Sequence, residues 1–317
     1  MSESNPNVTN SPQARCYCSG MKGASKRDSR RSKRNKSAQA TNERILVVDD
    51  EEVFCETISS MLTSAGYQCR TAADGLDALD ILTSGEEFEL LLTNLMTPKL
   101  DGIGLLERTK EQFPDMPVVV ETAAHDISVA LATIRKGAYD YLLKPSEREQ
   151  LLTVVHRVLE YRRLKLENRG YKERLGTLVI PVIHKPESIL LQHNEEPIRE
   201  ICDSMLTFEG YECRQAASPA EALKILKSEE GYALLLCKAV EAVEEKLLEH
   251  MAESIANIPA VVWACRPIPV FLDALRNGAY DYLGVPFERE QLLNVVRRAL
   301  EYRRLKLENR AYLRLLT

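Results

Sequence analysis

Residues 90–102, LLLTNLMTPKLDG, run from a block of leucines into a proline and an Asp-Gly pair. Such a run is a buried strand that ends in a loop, and strand-end loops are where open α/β sheets place their chemistry. The polar residue closing the run is Asn94. A carboxylate there would hold a hard cation and attack an electrophile. An amide offers one neutral oxygen and is a poor nucleophile, so the type of residue at this place conflicts with its position.

The elements that would hold Asn94 are legible around it. Short β-rich runs, Ile45–Val48, Tyr67–Thr71, Leu90–Thr93, Val118–Thr122 and Tyr139–Leu143, alternate with amphipathic stretches. That alternation is the rhythm of βαβ units around a parallel sheet. Leu90–Leu92 and Val118–Val120 are continuously apolar, as strands covered on both faces are. Five such units make a small doubly wound α/β domain.

The pattern then recurs. Residues 137–171, GAYDYLLKPSEREQLLTVVHRVLEYRRLKLENRGY, match residues 278–312 at 28 of 35 positions. Upstream, ILVVDDEE (45–52) faces ILLQHNEE (189–196), and SAGYQCRTA faces FEGYECRQA. So long a period marks two copies of a whole domain rather than a solenoid. The expected organisation is a basic tail (1–43), a first domain (44–175), a linker (176–187) and a second domain (188–317). Gly176 is placed as the cap of the first domain's last helix. Ser218-Pro219-x-Glu221 reads as a helix start with cap, first-turn proline and capping-box glutamate.

With 317 residues, 44% hydrophobic and 28% charged, the chain is long enough for two soluble domains. Residues 1–40 carry nine Lys or Arg against two acids, a net +7; the whole chain is −5, so the remainder carries −12. No apolar stretch reaches the roughly 18 residues of a membrane span, and the N-terminus lacks the apolar core of a secretory signal. The eight cysteines are scattered, with only Cys16-Tyr17-Cys18 close-set, which points to reduced thiols in a cytoplasmic protein.

At this level of detail residues 44–160 resemble the receiver domain of two-component response regulators, the flavodoxin-like module that accepts a phosphoryl group from a histidine kinase. The resemblance implies two flavodoxin-like (βα)5 parallel-sheet domains, each with an extended last helix. It gives Asp49 and Asp50 to an acid pair that holds Mg²⁺. Thr122, followed by Ala123, becomes the phosphoryl-contacting hydroxyl, Lys144-Pro145 the charge-balancing lysine, and Tyr141 the switch aromatic. The phosphoacceptor Asp of the family lies four residues before the loop proline, and counting back from Pro98 reaches Asn94. Losing that carboxylate leaves the site at −1 rather than −2, so Mg²⁺ is expected to bind weakly and the acyl phosphate not to form.

Aligned by the repeat, the second copy has His193 and Asn194 for the acid pair, Lys238 at the acceptor place, Ala264 for the hydroxyl and Val285 for the lysine. AVEAVEEK replaces MTPKLDG, two residues shorter by the next matched proline. No carboxylate pair remains, and no metal is expected there. The last strand and helix stay nearly identical between copies, so interaction is expected to have outlasted chemistry.

Each last helix runs past what a receiver needs. Tyr161, Leu164, Asn168, Tyr171 and Leu175 form a short heptad seam, repeated by Tyr302, Leu305, Asn309, Tyr312 and Leu316. The seam is expected to join two chains as a homodimer; the alternative is that it packs within one chain. No ATPase loop, helix-turn-helix or cyclase motif follows. The basic tail would attract nucleic acid or an anionic membrane surface through charge alone, with Tyr17 its only aromatic for base stacking. A solvated tail over the −12 body is the blander alternative.

The resulting expectation is a non-enzymatic, receiver-like tandem protein that works by contact with signalling partners, a histidine kinase or a response regulator. Two rivals stand beside it. One is a phosphoacceptor regulator that uses another residue or whose acceptor was changed from Asp to Asn. The other is a nucleic-acid-associated regulator acting through the tail.

Overall fold

The computed structural model describes residues 42–123, 132–176, 187–228, 231–238, 258–265 and 278–316. The basic tail with its Cys16-Tyr17-Cys18, most of the linker (177–186) and the AVEAVEEK loop lie outside the described residues, as does the side chain of Ala264.

The first half is built from β1 (Arg44–Val48), α1 (Glu52–Thr63), β2 (Gln68–Ala72), α2 (Gly75–Thr83), β3 (Leu90–Asn94), α3 (Gly102–Gln112), β4 (Val118–Thr122), β5 (Asp140–Leu143) and the long α4 (Arg148–Leu175). Its strands pair in parallel in the order β2-β1-β3-β4-β5, a doubly wound, flavodoxin-like sheet. Period-two alternation decides which side chain faces which layer. Leu46, Val48, Leu91, Val118 and Val120 pack with Leu79, Leu82, Leu105 and Leu106 of α2 and α3. Ile45, Val47, Leu90, Leu92 and Val119 pack with Ile58 and Leu62 of α1 and Val154, Val155 and Val158 of α4. Burial on both faces explains the unbroken apolar runs. Gly102 lets α3 begin directly against the end of β3, since a Cβ there would lie 2.3 Å from the Asn94 carbonyl oxygen.

The second half contributes β6 (Ser188–Gln192), α5 (Glu196–Phe208), β7 (Glu212–Ala216), α6 (Pro219–Ser228), β8 (Tyr232–Lys238), β9 (Ala260–Cys265), β10 (Asp281–Val285) and α7 (Arg289–Leu316). Its five parallel strands are ordered β10-β9-β8-β6-β7. At the start of α6 the Glu221 amide donates to the Ser218 hydroxyl at 3.2 Å and the Ala217 amide to the Glu221 carboxylate at 2.8 Å. α4 stops at Leu175, with Gly176 at φ +63°.

The two halves meet through their last strands and helices. α4 and α7 run parallel and in register: Tyr161 Oη donates to Glu301 at 2.9 Å and Tyr302 Oη to Glu160 at 2.8 Å. Further along, Asn168 Nδ2 donates to Asn309 Oδ1 at 2.9 Å, and the Tyr171 and Tyr312 rings lie 6.3 Å apart. The two heptad seams thus meet each other within one chain. The physical reason is proximity: the second seam is tethered to the first, so it meets that partner before any other chain does. Among the described residues, no helix is long and apolar enough to cross a membrane.

Candidate functional site

The carboxyl ends of β1, β3, β4 and β5 converge in the first half. Asp49, just past β1, is buried, and its main chain stays tied to the sheet by a 3.1 Å bond from its amide to Ala72. Asp50 beside it is exposed. Asn94 ends β3 and is buried; Thr122 ends β4 and is buried. Lys144, just past β5, reaches Asp49 in a buried ion pair and lays its ammonium 3.9 Å from the Phe54 ring centroid. The residues singled out around Asn94 are therefore brought together.

The conflict at Asn94 has a local resolution. Its side-chain nitrogen donates to Met96 O at 2.9 Å, to Asp50 Oδ1 at 3.3 Å and to Asp49 Oδ1 at 3.5 Å. Its oxygen accepts from the Met96 amide at 3.4 Å. Two carboxylates and a carbonyl, the oxygens that would gather around a hard cation, are gathered around amide hydrogens instead. Lys144 supplies the positive charge. A Mg²⁺ ion needs near-octahedral oxygen ligands, and the group turned inward at Asn94 is a donor, so the residues as arranged do not fit one. Among the described residues, no group of three or more His, Cys, Asp or Glu could hold a metal ion.

Sequence reasoning passed over Glu121, Ser146, Phe54 and the Met96 carbonyl. Glu121 pairs with Asn94 across β3 and β4 and is buried, accepting from the Ser146 hydroxyl at 3.1 Å. Burial pushes its carboxyl up to about 7, with Ser146 and Lys144 pulling the other way. The signal was available, since a glutamate inside the run VVVET needs a reason.

Tyr141 is held from across the chain. Gln291 Nε2 donates to its hydroxyl at 2.9 Å, and Gln150 Nε2 does the same for Tyr282 at 2.6 Å. Behind them lies a buried four-charge cluster. Arg157 pairs with Asp140 of its own half and with Asp281 of the other. Arg298 pairs with Asp281 at 2.7 Å and with Asp140 at 2.5 Å. Burial alone would raise the Asp140 carboxyl, but Arg298 and Arg157 hold it below its ordinary value. Each arginine also lies over a tyrosine of the other half, Arg157 over Tyr280 and Arg298 over Tyr139.

The comparable end of the second sheet is filled differently. Strand pairing puts Lys238 opposite Trp263 as Asn94 is opposite Glu121, and Ala264 opposite Gly284 as Thr122 is opposite Leu143. His193 follows β6 as Asp49 follows β1. Its Nδ1 accepts from the Glu195 amide at 3.0 Å, and its ring meets Trp263 edge-on at 5.7 Å. Burial, then Lys238, holds its imidazole down to about 4. Lys238 Nζ donates to Asn194 at 2.9 Å. Trp263 stacks on Phe287 at 6.1 Å, where the first half has Glu121 and Ser146. Val285 is packed against the same apolar cluster.

Comparison with known proteins now decides the first half. Residues 45–156 match the family profile of the response regulator receiver domain. These residues form a receiver domain. Over 130 residues the chain is 36% identical to the nitrogen assimilation regulatory protein NtrX of Azorhizobium caulinodans, covering 41% of this chain and 29% of that protein. Over 117 residues it is 32% identical to the DNA-binding transcriptional regulator NtrC of Escherichia coli, covering 37% of this chain and 25% of that one. A solved receiver domain of NtrX from Brucella abortus is 36% identical over 37% of this chain and 98% of that chain, with a TM-score of 0.35. The chain thus spans less than a third of the length of these curated regulators.

Proposed function

We propose that this chain is a two-component signalling protein with tandem receiver units that acts by protein contact and is not phosphorylated. The observation that carries this reading is the Asn94 amide, bonded to Asp49, Asp50 and Met96 at the place where a nucleophilic carboxylate would stand. In this reading the first unit keeps the shape of a receiver pocket but holds it closed with its own side chains. Mg²⁺ binds it weakly, because an ion must displace amide donors and face Lys144. The second unit is a degenerate receiver whose strand end holds His193, Asn194, Lys238 and Trp263 in place of the acid pair, acceptor and their neighbours. Neither unit is an enzyme. Signalling partners, a histidine kinase or another response regulator, would meet the surfaces left outside the junction between the units. The paired α4 and α7 serve as a short parallel coiled coil within the chain, its Asn168–Asn309 pair fixing the register. A cytoplasmic location follows from such partners.

The test is the Asn94→Asp variant of the full chain, incubated with Mg²⁺ and a small phosphodonor and read by intact mass. One phosphoryl group per chain is expected for that variant and none for wild type or Lys238→Asp. The variant regains a nucleophile and an anionic ligand beside Asp49, Asp50, Thr122 and Lys144, whereas Lys238→Asp gains a carboxylate with no lysine or acid pair around it. Uptake by the wild-type chain would overturn the reading.

A further inference from the structure

Charge is sorted within this chain, and its two cationic parts come out at one end of the molecule. The outer turns of the paired helices, 160–175 of α4 and 301–316 of α7, hold eleven Lys or Arg against five acids, a net +6. Residues 1–40 add +7 and the whole chain is −5, so everything else carries −18. Each sheet is parallel, so all strands of a half begin at one edge. At that edge Arg169 of α4 pairs with Asp115, just ahead of β4, and the Asn42 side chain accepts from Gln68 Nε2 at 3.1 Å at the start of β2. Residues 1–40 therefore join the fold at the end from which the two helices project, opposite the strand-end pockets.

Four of the five acids on these turns are held at the seam. Glu160 accepts from Tyr302, Glu301 from Tyr161, Glu308 from Asn168 at 2.9 Å and Glu167 from Asn309 at 3.4 Å. The apolar side chains go the same way, with Leu164, Leu305 and Tyr312 buried. What remains outward is mostly cationic, down to the last turn of α7, where Leu313 and Leu315 are exposed. Arg163, Arg174 and Arg314 are exposed and form no ion pair among the described residues.

We infer that the outer turns of α4 and α7, together with residues 1–40, bind the phosphate backbone of duplex nucleic acid without reading its bases. Eight of the eleven helix cations are arginine, whose planar fork meets two phosphate oxygens at once. The Tyr171 and Tyr312 rings face each other in the seam, and Tyr161 and Tyr302 lie against Tyr139 and Tyr280. These rings offer no platform for unpaired bases, which favours a duplex over a single strand. Sixteen residues of helix are about 24 Å long, and duplex DNA presents a phosphate charge every ~1.7 Å of its axis. The −18 of the remaining chain repels the same ligand and confines it to this end. At up to ~3.3 Å per residue, residues 1–40 can reach any part of that end.

The test is fluorescence anisotropy of a labelled duplex of about 30 base pairs, titrated with the full chain between about 50 and 200 mM salt. Two unrelated sequences should bind alike, and affinity should fall about a thousandfold across that range. Arg163→Gln with Arg174→Gln and Arg314→Gln, residues 1–40 intact, should flatten the log–log salt slope by about 2.7, the share of three phosphates. The same variant should bind at least about tenfold more weakly at the lower salt, with its fold checked by circular dichroism. Deleting residues 1–40 should weaken binding and leave a salt-dependent remainder. No binding by wild type at the lower salt overturns the inference. So does a folded triple variant that binds as wild type does, or complete loss on deleting residues 1–40, because the helices would then contribute nothing. Tighter binding of the corresponding single strand, or of vesicles of phosphatidylserine and phosphatidylcholine, assigns the surface to another ligand and overturns it too.

Discussion

The two strand-end pockets of this molecule start from the same sheet geometry and end in opposite chemistry. In the first, Glu121 and Ser146 make a buried polar pair beside Asp49, Asn94 and Lys144. In the second, the equivalent places hold Trp263 stacked on Phe287, with Val285 where the lysine would be. The first is a pocket whose charges satisfy one another; the second is packed like a core. At the junction between the halves the same comparison shows almost no difference, residue for residue. A pocket without a carboxylate pair can be filled by apolar packing, as Trp263 and Phe287 fill the second. Paired charges at a junction do not relax in this way, because removing either partner strands the other in a buried site.

The largest expected effect comes from emptying the second pocket. Trp263→Ala should lower stability by about 3–5 kcal/mol, the range for deleting a fully buried large aromatic, measured by urea denaturation followed by far-UV circular dichroism. A loss below about 1 kcal/mol would mean that the pocket is not a packed core, and the comparison would collapse.

The equivalent position in the first half should respond with the opposite sign. The Glu121 carboxyl, at about 7 in the fold against 4.5 as its ordinary value, keeps its proton longer folded than unfolded. Its stabilising contribution is therefore complete below about 4.5 and is lost as pH rises through 7, a difference of about 3 kcal/mol. Glu121→Gln should be more stable than wild type at pH 8 by up to about that amount and gain little at pH 4.5. His193 slopes the other way. Its imidazole, held to about 4 rather than 6.5, contributes stability above 6.5 that is lost as pH falls through 4. Thermal melts of Glu121→Gln across pH 4–7 should accordingly rise with pH, with the opposing slope removed. A profile unchanged from wild type would mean that Glu121 is ionised in both states.

The smallest expected effect is an absence of response. Trp263 is the single tryptophan and lies against His193, so its fluorescence reports on the second pocket. Titrating Mg²⁺ into the full chain should leave it unchanged beyond the effect of monovalent salt at equal ionic strength. A saturable millimolar change would place a cation beside His193, Asn194 and Lys238.

How much of this was legible in sequence differs by region. The strands of the first half follow from apolar periodicity, a local property, and the convergence of Asp49, Asn94, Thr122 and Lys144 from the resemblance to receivers. Asn94 as the mismatch was visible for the same reason. Glu121 and Ser146 were missed because they are separated by 25 residues and meet only when β4 and β5 lie side by side. The pairing of Trp263 with Phe287 is of the same kind.

By itself the sequence determined that two halves share one plan, that their pockets diverged while their last strands and helices did not, and that each last helix carries a heptad seam. Periodicity and repetition are written along the chain and need no third dimension. That the two seams meet each other within the chain is visible only in the tertiary structure. The residues alone leave their partner open, because periodicity marks a face and not what covers it. The four-charge cluster belongs to the same class of fact: Asp140, Arg157, Asp281 and Arg298 are ordinary strand and helix residues until two faces press together and exclude water from all four.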